Sequence, residues 1–151
     1  MSRRNFHSDT DSKRFYDWLQ MASDDMICAT VLSGEAECYG AAAFHCQQAI
    51  EKALKAYILL KSDILVDGHN LSWLIKRAMR YDKHFAKWLD ESAFLNRCYI
   101  ETRYPADIPL DIGKEDIQRY LSMSVDMYKF ICSDVDEALK KGGVHPEQRG
   151  R

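Results

Sequence analysis

Between Tyr39 and Leu60 the side chains His45, Gln48, Lys52 and Lys55 recur at intervals of three and four residues, and Arg103-Tyr104-Pro105 follows later in the chain. On a helix of 3.6 residues per turn that spacing gathers the first four into a short polar and basic ridge. Lysine and arginine can give phosphate charge-assisted hydrogen bonds, and histidine can move a proton. The ridge is therefore expected to face water, a partner chain or a phosphate-bearing ligand. Away from it, Cys46, Ala49, Ile50, Ala53 and Tyr57 form a stripe of mostly small residues that lets a neighbouring helix approach closely.

Each of these residues also has a structural reading. His45 fits the edge of a helix interface, hydrogen-bonded and inert. Lys52 and Lys55 fit a solvated face, with Glu51 and Lys55 as an i,i+4 pair contributing about 0.2 to 0.5 kcal/mol. Gln47 falls beside Leu54 and Ile58 on the helical wheel, which suits a structural hydrogen bond within or between subunits. His69, after Asp67-Gly68, suits a cap for the helix that follows. Asp24 and Asp25 read as helix-surface acids, because no partner acids lie at metal-ligand spacing. Arg103 is favourable at a helix end, yet Tyr104 and Pro105 fix the chain's exit and could aim its guanidinium into a cleft.

Five helices are expected to position these groups. The first covers about 12 to 32, with Ser12 as N-cap and Phe15, Trp18, Leu19, Ala22, Met26 and Ala29 on one apolar face; Ser33-Gly34 stops it. The second runs from near Glu35 to near Lys61, and a shorter third covers about 71 to 81. The fourth spans about 83 to 102, with Phe85, Leu89, Ala93 or Phe94, and Tyr99 inward, and Pro105 and Pro109 prevent its continuation. The fifth, about 114 to 141, turns Ile117, Leu121, Met127 or Tyr128, Ile131, Val135 and Leu139 inward and stops at Gly142-Gly143. No internal repeat and no strand-like alternation is present. The fold class is thus all-α, an up-and-down antiparallel bundle of four to five helices, with residues 1–10 a flexible N-terminus, 11–141 the bundle and 142–151 a disordered tail.

Composition agrees. The 151 residues suit one domain able to bury about 70% of its unfolded surface, and seven Gly and three Pro leave room for long helices. A net charge of -2 argues against general nucleic-acid binding while allowing a local basic site. The five cysteines, at 28, 38, 46, 98 and 132, make no Cys-x-x-Cys pair and read as buried free thiols of a reducing compartment. Residues 1–10 have no apolar core of signal-peptide length, and no run approaches the roughly 20 apolar residues of a membrane span. No membrane partner and a cytoplasmic location are the resulting expectations.

The helix carrying Phe44, His45, Gln47, Gln48, Ala49, Glu51 and Lys52 resembles the HEPN family, helical domains named for nucleotide binding in higher eukaryotes and prokaryotes. Trp18-Leu19, Ala22 and Asp25-Met26 resemble the family's first helix. His69-x-Leu71 with Leu74 and Ala78 resembles its short third helix, and Leu95-Asn96 through Tyr99 to Arg103-Tyr104-Pro105 the end of its fourth. The resemblance spans roughly residues 12 to 138. It implies a bundle like the substrate-binding subunits of nucleotidyltransferases, a homodimer, and a module that commonly works with a minimal nucleotidyltransferase encoded beside it, often as a toxin and antitoxin pair. Candidate nucleotide-binding residues on that reading are His45, Gln48, Lys52, Arg103 and Tyr104.

The ribonuclease branch of that family carries an arginine and a histidine with four to six residues between them, one for phosphate charge and one for protons. Counting on from Arg103 gives Ile108, Pro109 and Leu110, and from Arg97 gives Thr102, Arg103 and Tyr104. None of these can do a histidine's work. Arg77 with His84 meets the spacing only across the junction of helices three and four. No Gly-rich phosphate loop, nucleophile elbow or metal-spaced histidine pair occurs. No catalytic residue, metal or cofactor is expected; the alternatives to a nucleotide-binding module are a dimeric interaction scaffold without ligand and a divergent ribonuclease.

Overall fold

The computed structural model describes residues 11–101 and 111–142, with the side chains of 99–101 outside that description. Five α-helices follow in order: α1 Phe15–Leu32, α2 Tyr39–Ser62, α3 Leu71–Ala78, α4 Leu89–Glu101 and α5 Lys114–Lys140. Short 3-10 turns at Ala36–Cys38 and Lys83–Trp88 precede α2 and α4. No strand occurs among the described residues. The expected all-α bundle is the observed one.

α2 is the axis of the bundle, and each of the other four helices packs on it. From Ala53 to Leu59 every residue is buried, so this part of the helix has no solvent face. A helix with that property must be enclosed by neighbours. Its small residues make the enclosure tight: Ala42, Ala43, Cys46, Ala49, Ala53 and Ala56 have no exposed surface, and neither do Ala22 and Ala29 of α1. The stripe anticipated along Cys46, Ala49, Ile50, Ala53 and Tyr57 is buried throughout.

Several helix ends depart from expectation, each for a local reason. Arg14 holds the N-cap position of α1 without a side-chain cap. Ser12 instead donates its hydroxyl to the Asp17 carboxylate at 2.7 Å. α2 ends on Asp63 in the left-handed conformation (φ 58°), its N–H bonded to the Leu59 carbonyl. α3 is capped by Asn70, whose side chain accepts the Trp73 N–H at 3.1 Å, and not by His69. The helix expected over 83–102 begins as a 3-10 turn. At three residues per turn Phe85 and Trp88 eclipse, and both rings pack on Phe130 of α5, with centroids 5.0 and 5.9 Å away.

The inward face of α4 is also shifted. Ser92, Leu95 and Cys98 are fully buried, Leu89 and Phe94 are partly buried, and Ala93 is exposed. On α5 the expected spacing holds: Ile117, Met127, Ile131 and Val135 are buried, joined by Tyr120 and Ser124. The thiols differ from the uniform burial anticipated. Cys46 and Cys98 are buried, Cys38 and Cys132 half-buried, and Cys28 is exposed. Residues 1–10, the tail beyond Gly142, and Arg103, Tyr104 and Pro105 lie outside the described residues.

Asn96 ties α4 to the start of α3. Its carbonyl accepts the Leu71 N–H at 2.6 Å, and its amide donates to Asn70 Oδ1 at 3.1 Å and to Ser72 Oγ at 3.2 Å. The first-turn N–H groups of a helix have no intrahelical acceptor, so removing a side-chain one leaves the donor stranded. Asn96→Ala is expected to lower stability by about 1 to 3 kcal/mol. Urea unfolding with a change under about 0.5 kcal/mol would show that water replaces the side chain.

Candidate functional site

α1 and α2 pack along their lengths, and the polar face of α2 is met by one carboxylate from α1. Asp25 accepts from Lys52 Nζ at 2.6 Å through one oxygen, and its other oxygen lies 2.8 Å from His45 Nδ1. His45, Gln48 and Lys52 fall at i, i+3 and i+7, so all three sit on the same side of α2, each half-buried. The His45 and Lys52 side chains keep 29% and 17% of their surface, against 10% for Asp25. Solvent therefore reaches the two cation-capable groups while the acid between them is covered.

A second, deeper cluster lies beside the first. Glu51 is 3% exposed and Lys55 1%. The Lys55 ammonium donates to Glu51 Oε2 at 3.3 Å and sits 5.7 Å from the centre of the Trp18 ring. Glu51 Oε1 is met by His69 Nδ1 at 2.9 Å and by the Gln47 amide at 3.4 Å. Gln47 also donates to the His69 carbonyl at 3.3 Å, and Gln48 donates to Gln47 Oε1 at 2.7 Å. Gln48, on the same side of α2 as His45 and Lys52, is thus engaged by the group around Glu51.

Two expectations are corrected by this geometry. Lys55 does not belong to an open basic ridge; it is the most deeply buried charge among the described residues, and its pairing with Glu51 is a core interaction rather than a surface one. Asp25 is not a helix-surface acid, although its neighbour Asp24 is exposed and accepts from Gln20. The signal for Asp25 was present in the sequence, since Ala22, Asp25, Met26 and Ala29 follow the i, i+3, i+4, i+7 spacing of a buried face. Gln47 has the structural role its position suggested.

Lys52 is matched by Asp25 and Lys55 by Glu51, so the face offers directed donors rather than a field of uncompensated positive charge. The thiol nearest in sequence, Cys46, is pushed up to about 11 by burial. A thiol in that state supplies no nucleophile at neutral pH. Arg77 and His84 have separate engagements, Arg77 over the Trp73 ring and His84 against Asp82. No group of three or more metal-ligating side chains occurs among the described residues. No helix of the described residues is long and apolar enough to cross a membrane.

The molecule is thus an all-helical bundle in which α1 and α2 clamp a polar cluster between them. The sequence model of the HEPN domain matches residues 15–136. The chain belongs to the HEPN domain family. Among solved structures it is similar to TT1696 from Thermus thermophilus, at 24% identity and a TM-score of 0.73, covering 82% of this chain and 99% of that one. It is also similar to ST0689, an archaeal HEPN homologue, at 23% identity and a TM-score of 0.62, again covering 82% and 99%. At these identities the two structures speak for the fold alone. No curated protein matches the chain.

The buried pair yields a stability test. Removing one member of a buried ion pair strands the other and costs about 3 to 5 kcal/mol, whereas replacing both by apolar groups costs far less. Lys55→Met is accordingly expected to destabilise by about 3 kcal/mol or more, and the double variant Glu51→Leu/Lys55→Met by clearly less than the sum of the singles. Additive losses in chemical denaturation would mean that Glu51 is held by Gln47 and His69 and not by Lys55.

Proposed function

We propose that this HEPN protein is a non-catalytic nucleotide-binding module, with His45, Gln48 and Lys52 contacting phosphate or base, Arg103 and Tyr104 completing the site, and a separately encoded minimal nucleotidyltransferase as its partner in a toxin–antitoxin type of module. The observation that carries the reading is the bridge from Asp25 to His45 and Lys52. One carboxylate holds an imidazole and an ammonium together in a geometry that a phosphate oxygen could share or take over. Phosphate would compete with Asp25 for Lys52, so modest affinity and strong dependence on salt belong to the proposal.

A homodimeric interaction scaffold is the second reading, and it has its own support. Met26, Ile27 and Val31 of α1 and Val125 and Tyr128 of α5 line an apolar groove of about 370 Å³. Ile27 and Val31 are 60% and 67% exposed, enough apolar surface for a second copy of the chain to cover.

Calorimetric titration with ATP separates the two readings. Lys52→Ala and Arg103→Ala should each weaken binding about tenfold or more, as loss of a hydrogen bond to a charged group worth roughly 1.5 to 3 kcal/mol would do. Asp25→Asn keeps an acceptor for Lys52 but removes the competing charge, and should tighten binding. No ATP binding at millimolar concentration, together with a dimer in sedimentation that Ile27→Glu disperses, would leave the scaffold reading in its place. Cleavage of a structured RNA that is lost in Arg103→Ala would overturn both in favour of a divergent ribonuclease.

A further inference from the structure

At the other end of α2 from the Asp25 bridge, Tyr57 and Lys61 face the turn after α3 and the last turns of α5 across a cavity of about 310 Å³. That is the small end of the range for ligand cavities, roughly 300 to 1,000 Å³. The most buried residue of the lining is Tyr57, 3% exposed, whose ring packs on Phe85 with centroids 4.9 Å apart. Its hydroxyl makes no hydrogen bond to any described residue. A buried hydroxyl is costly to leave in that state, so it marks a place where another molecule supplies the partner.

Asp82, from the turn, and Asp134, from α5, are half-buried in the same lining, with Glu137 and His84 exposed beside them. Asp82 is engaged: its Oδ1 accepts the His84 backbone N–H at 2.9 Å and lies 2.7 Å from the His84 ring Nδ1. Asp134 and Glu137 have no basic group within ion-pair distance among the described residues. Burial foremost pushes the Asp134 carboxyl up to about 7, as it does for an acid covered without a cation against it. The lysines of the lining sit at one end of it. α2 finishes at Ser62 and α5 at Lys140. Lys61 lies one turn beyond Tyr57 and Lys141 two turns beyond Asp134, offsets of about 6 and 10 Å along the helices, and both lysines are exposed.

We propose that this cavity binds a small zwitterion, an ammonium on a short carbon chain that ends in an anionic group, with the ammonium held among Tyr57, Asp82 and Asp134 and the anion at Lys61 and Lys141.

An ammonium brings three N–H donors. Two carboxylates and an unpartnered hydroxyl are acceptors for them, and hydrogen bonds between ionised groups are the stronger kind. Burial foremost, then the charges of Asp134 and Asp82, drive Tyr57 upward, so its hydroxyl keeps its proton and stands as a neutral acceptor near the acids. The Tyr57 and Tyr81 rings, 6.4 Å apart and 81° to one another, give a carbon chain apolar surface and attract a cation to their faces. The lining carries the carboxylates of Asp82, Asp134 and Glu137 against the two lysines, so a neutral or anionic ligand would leave the acids unanswered. The lysines select the other end of the ligand. A second ammonium would meet like charge there, and an anion opposite charge. An extended chain advances about 1.2 Å per bond, so about five bonds from nitrogen to anionic oxygen cover the shorter offset.

Calorimetric titration of the full chain, buffered on the alkaline side of Asp134 so that this acid is ionised, tests the proposal with three probes of like length: γ-aminobutyrate, n-butylamine and putrescine. γ-Aminobutyrate should bind at millimolar concentration, n-butylamine about fivefold more weakly for want of the exposed ion pairs, and putrescine no better than n-butylamine. Asp134→Asn keeps the shape and removes the charge, and should weaken γ-aminobutyrate and n-butylamine alike by about tenfold. Tyr57→Phe leaves the ring on Phe85 and should weaken both as well. The double variant Lys61→Gln/Lys141→Gln, at exposed positions, should abolish the advantage of γ-aminobutyrate and spare n-butylamine. Lys52→Ala, at the Asp25 bridge, should change none of these affinities. No binding of γ-aminobutyrate at millimolar concentration, putrescine as the tightest of the three, or an Asp134→Asn variant that folds and binds like the parent would each overturn the proposal.

Discussion

Enclosure of α2 is the constraint from which the rest of the structure follows. Where α2 is buried, a polar side chain has nowhere to go except against the helix's neighbours, so each charged or amide group buried on it must be answered from inside the protein. Glu51 and Lys55 answer one another, Gln47 and His69 complete the shell around Glu51, and Asp25 answers Lys52 and His45. These contacts specify more than they stabilise. A buried ion pair recovers little more than its desolvation cost, but it penalises any packing in which a partner is missing. α1 must present Asp25 at the height of Lys52, and the loop before α3 must bring His69 to Glu51. The polar cluster therefore sets the register of α1 and of that loop on the central helix.

The same constraint explains what was legible in the sequence. The apolar spacing of α1 and α5 and the small-residue stripe of α2 read directly as faces, because burial of those residues is a matter of period alone. The charged residues did not, since a lysine is ordinarily solvated and its period carries no information about what faces it. Lys55 shares a side with Lys52 on the wheel, yet it lies beneath Trp18 and beside Glu51, while Lys52 sits at the rim. Only the position of α1 distinguishes the two. Asp25 could have been recognised, because an acid inside an apolar i, i+3, i+4, i+7 set has to be paired once the set is buried.

Helix boundaries failed for a different reason. The 3-10 turn at Lys83–Trp88 follows from Phe130, far along the chain on α5, which draws Phe85 and Trp88 onto one ring. Their three-residue spacing meets that ring better from a 3-10 turn than from an α-helix. Asn70 displaces His69 as the cap of α3 because His69 is already committed, through its ring to Glu51 and through its carbonyl to Gln47. In each case a long-range contact decided a local conformation that local residues left open.

The placement of the two polar centres bears on how a bundle of this kind can carry function. The Asp25 bridge lies between α1 and α2, and the cavity lined by Asp82 and Asp134 lies between the α3–α4 connection and α5, so neither centre belongs to a single helix. Small relative movements of helices change the donor–acceptor distances of the Asp25 bridge, while the apolar contacts along α2, spread over many side chains, change little. Ionic contacts at helix junctions are steep functions of geometry, and apolar ones are shallow. A ligand that drew Lys52 from Asp25 would act on the α1–α2 junction alone and leave the packing of α2 on α4 and α5 intact. That separation lets a marginally stable domain respond at its edges without loosening its core.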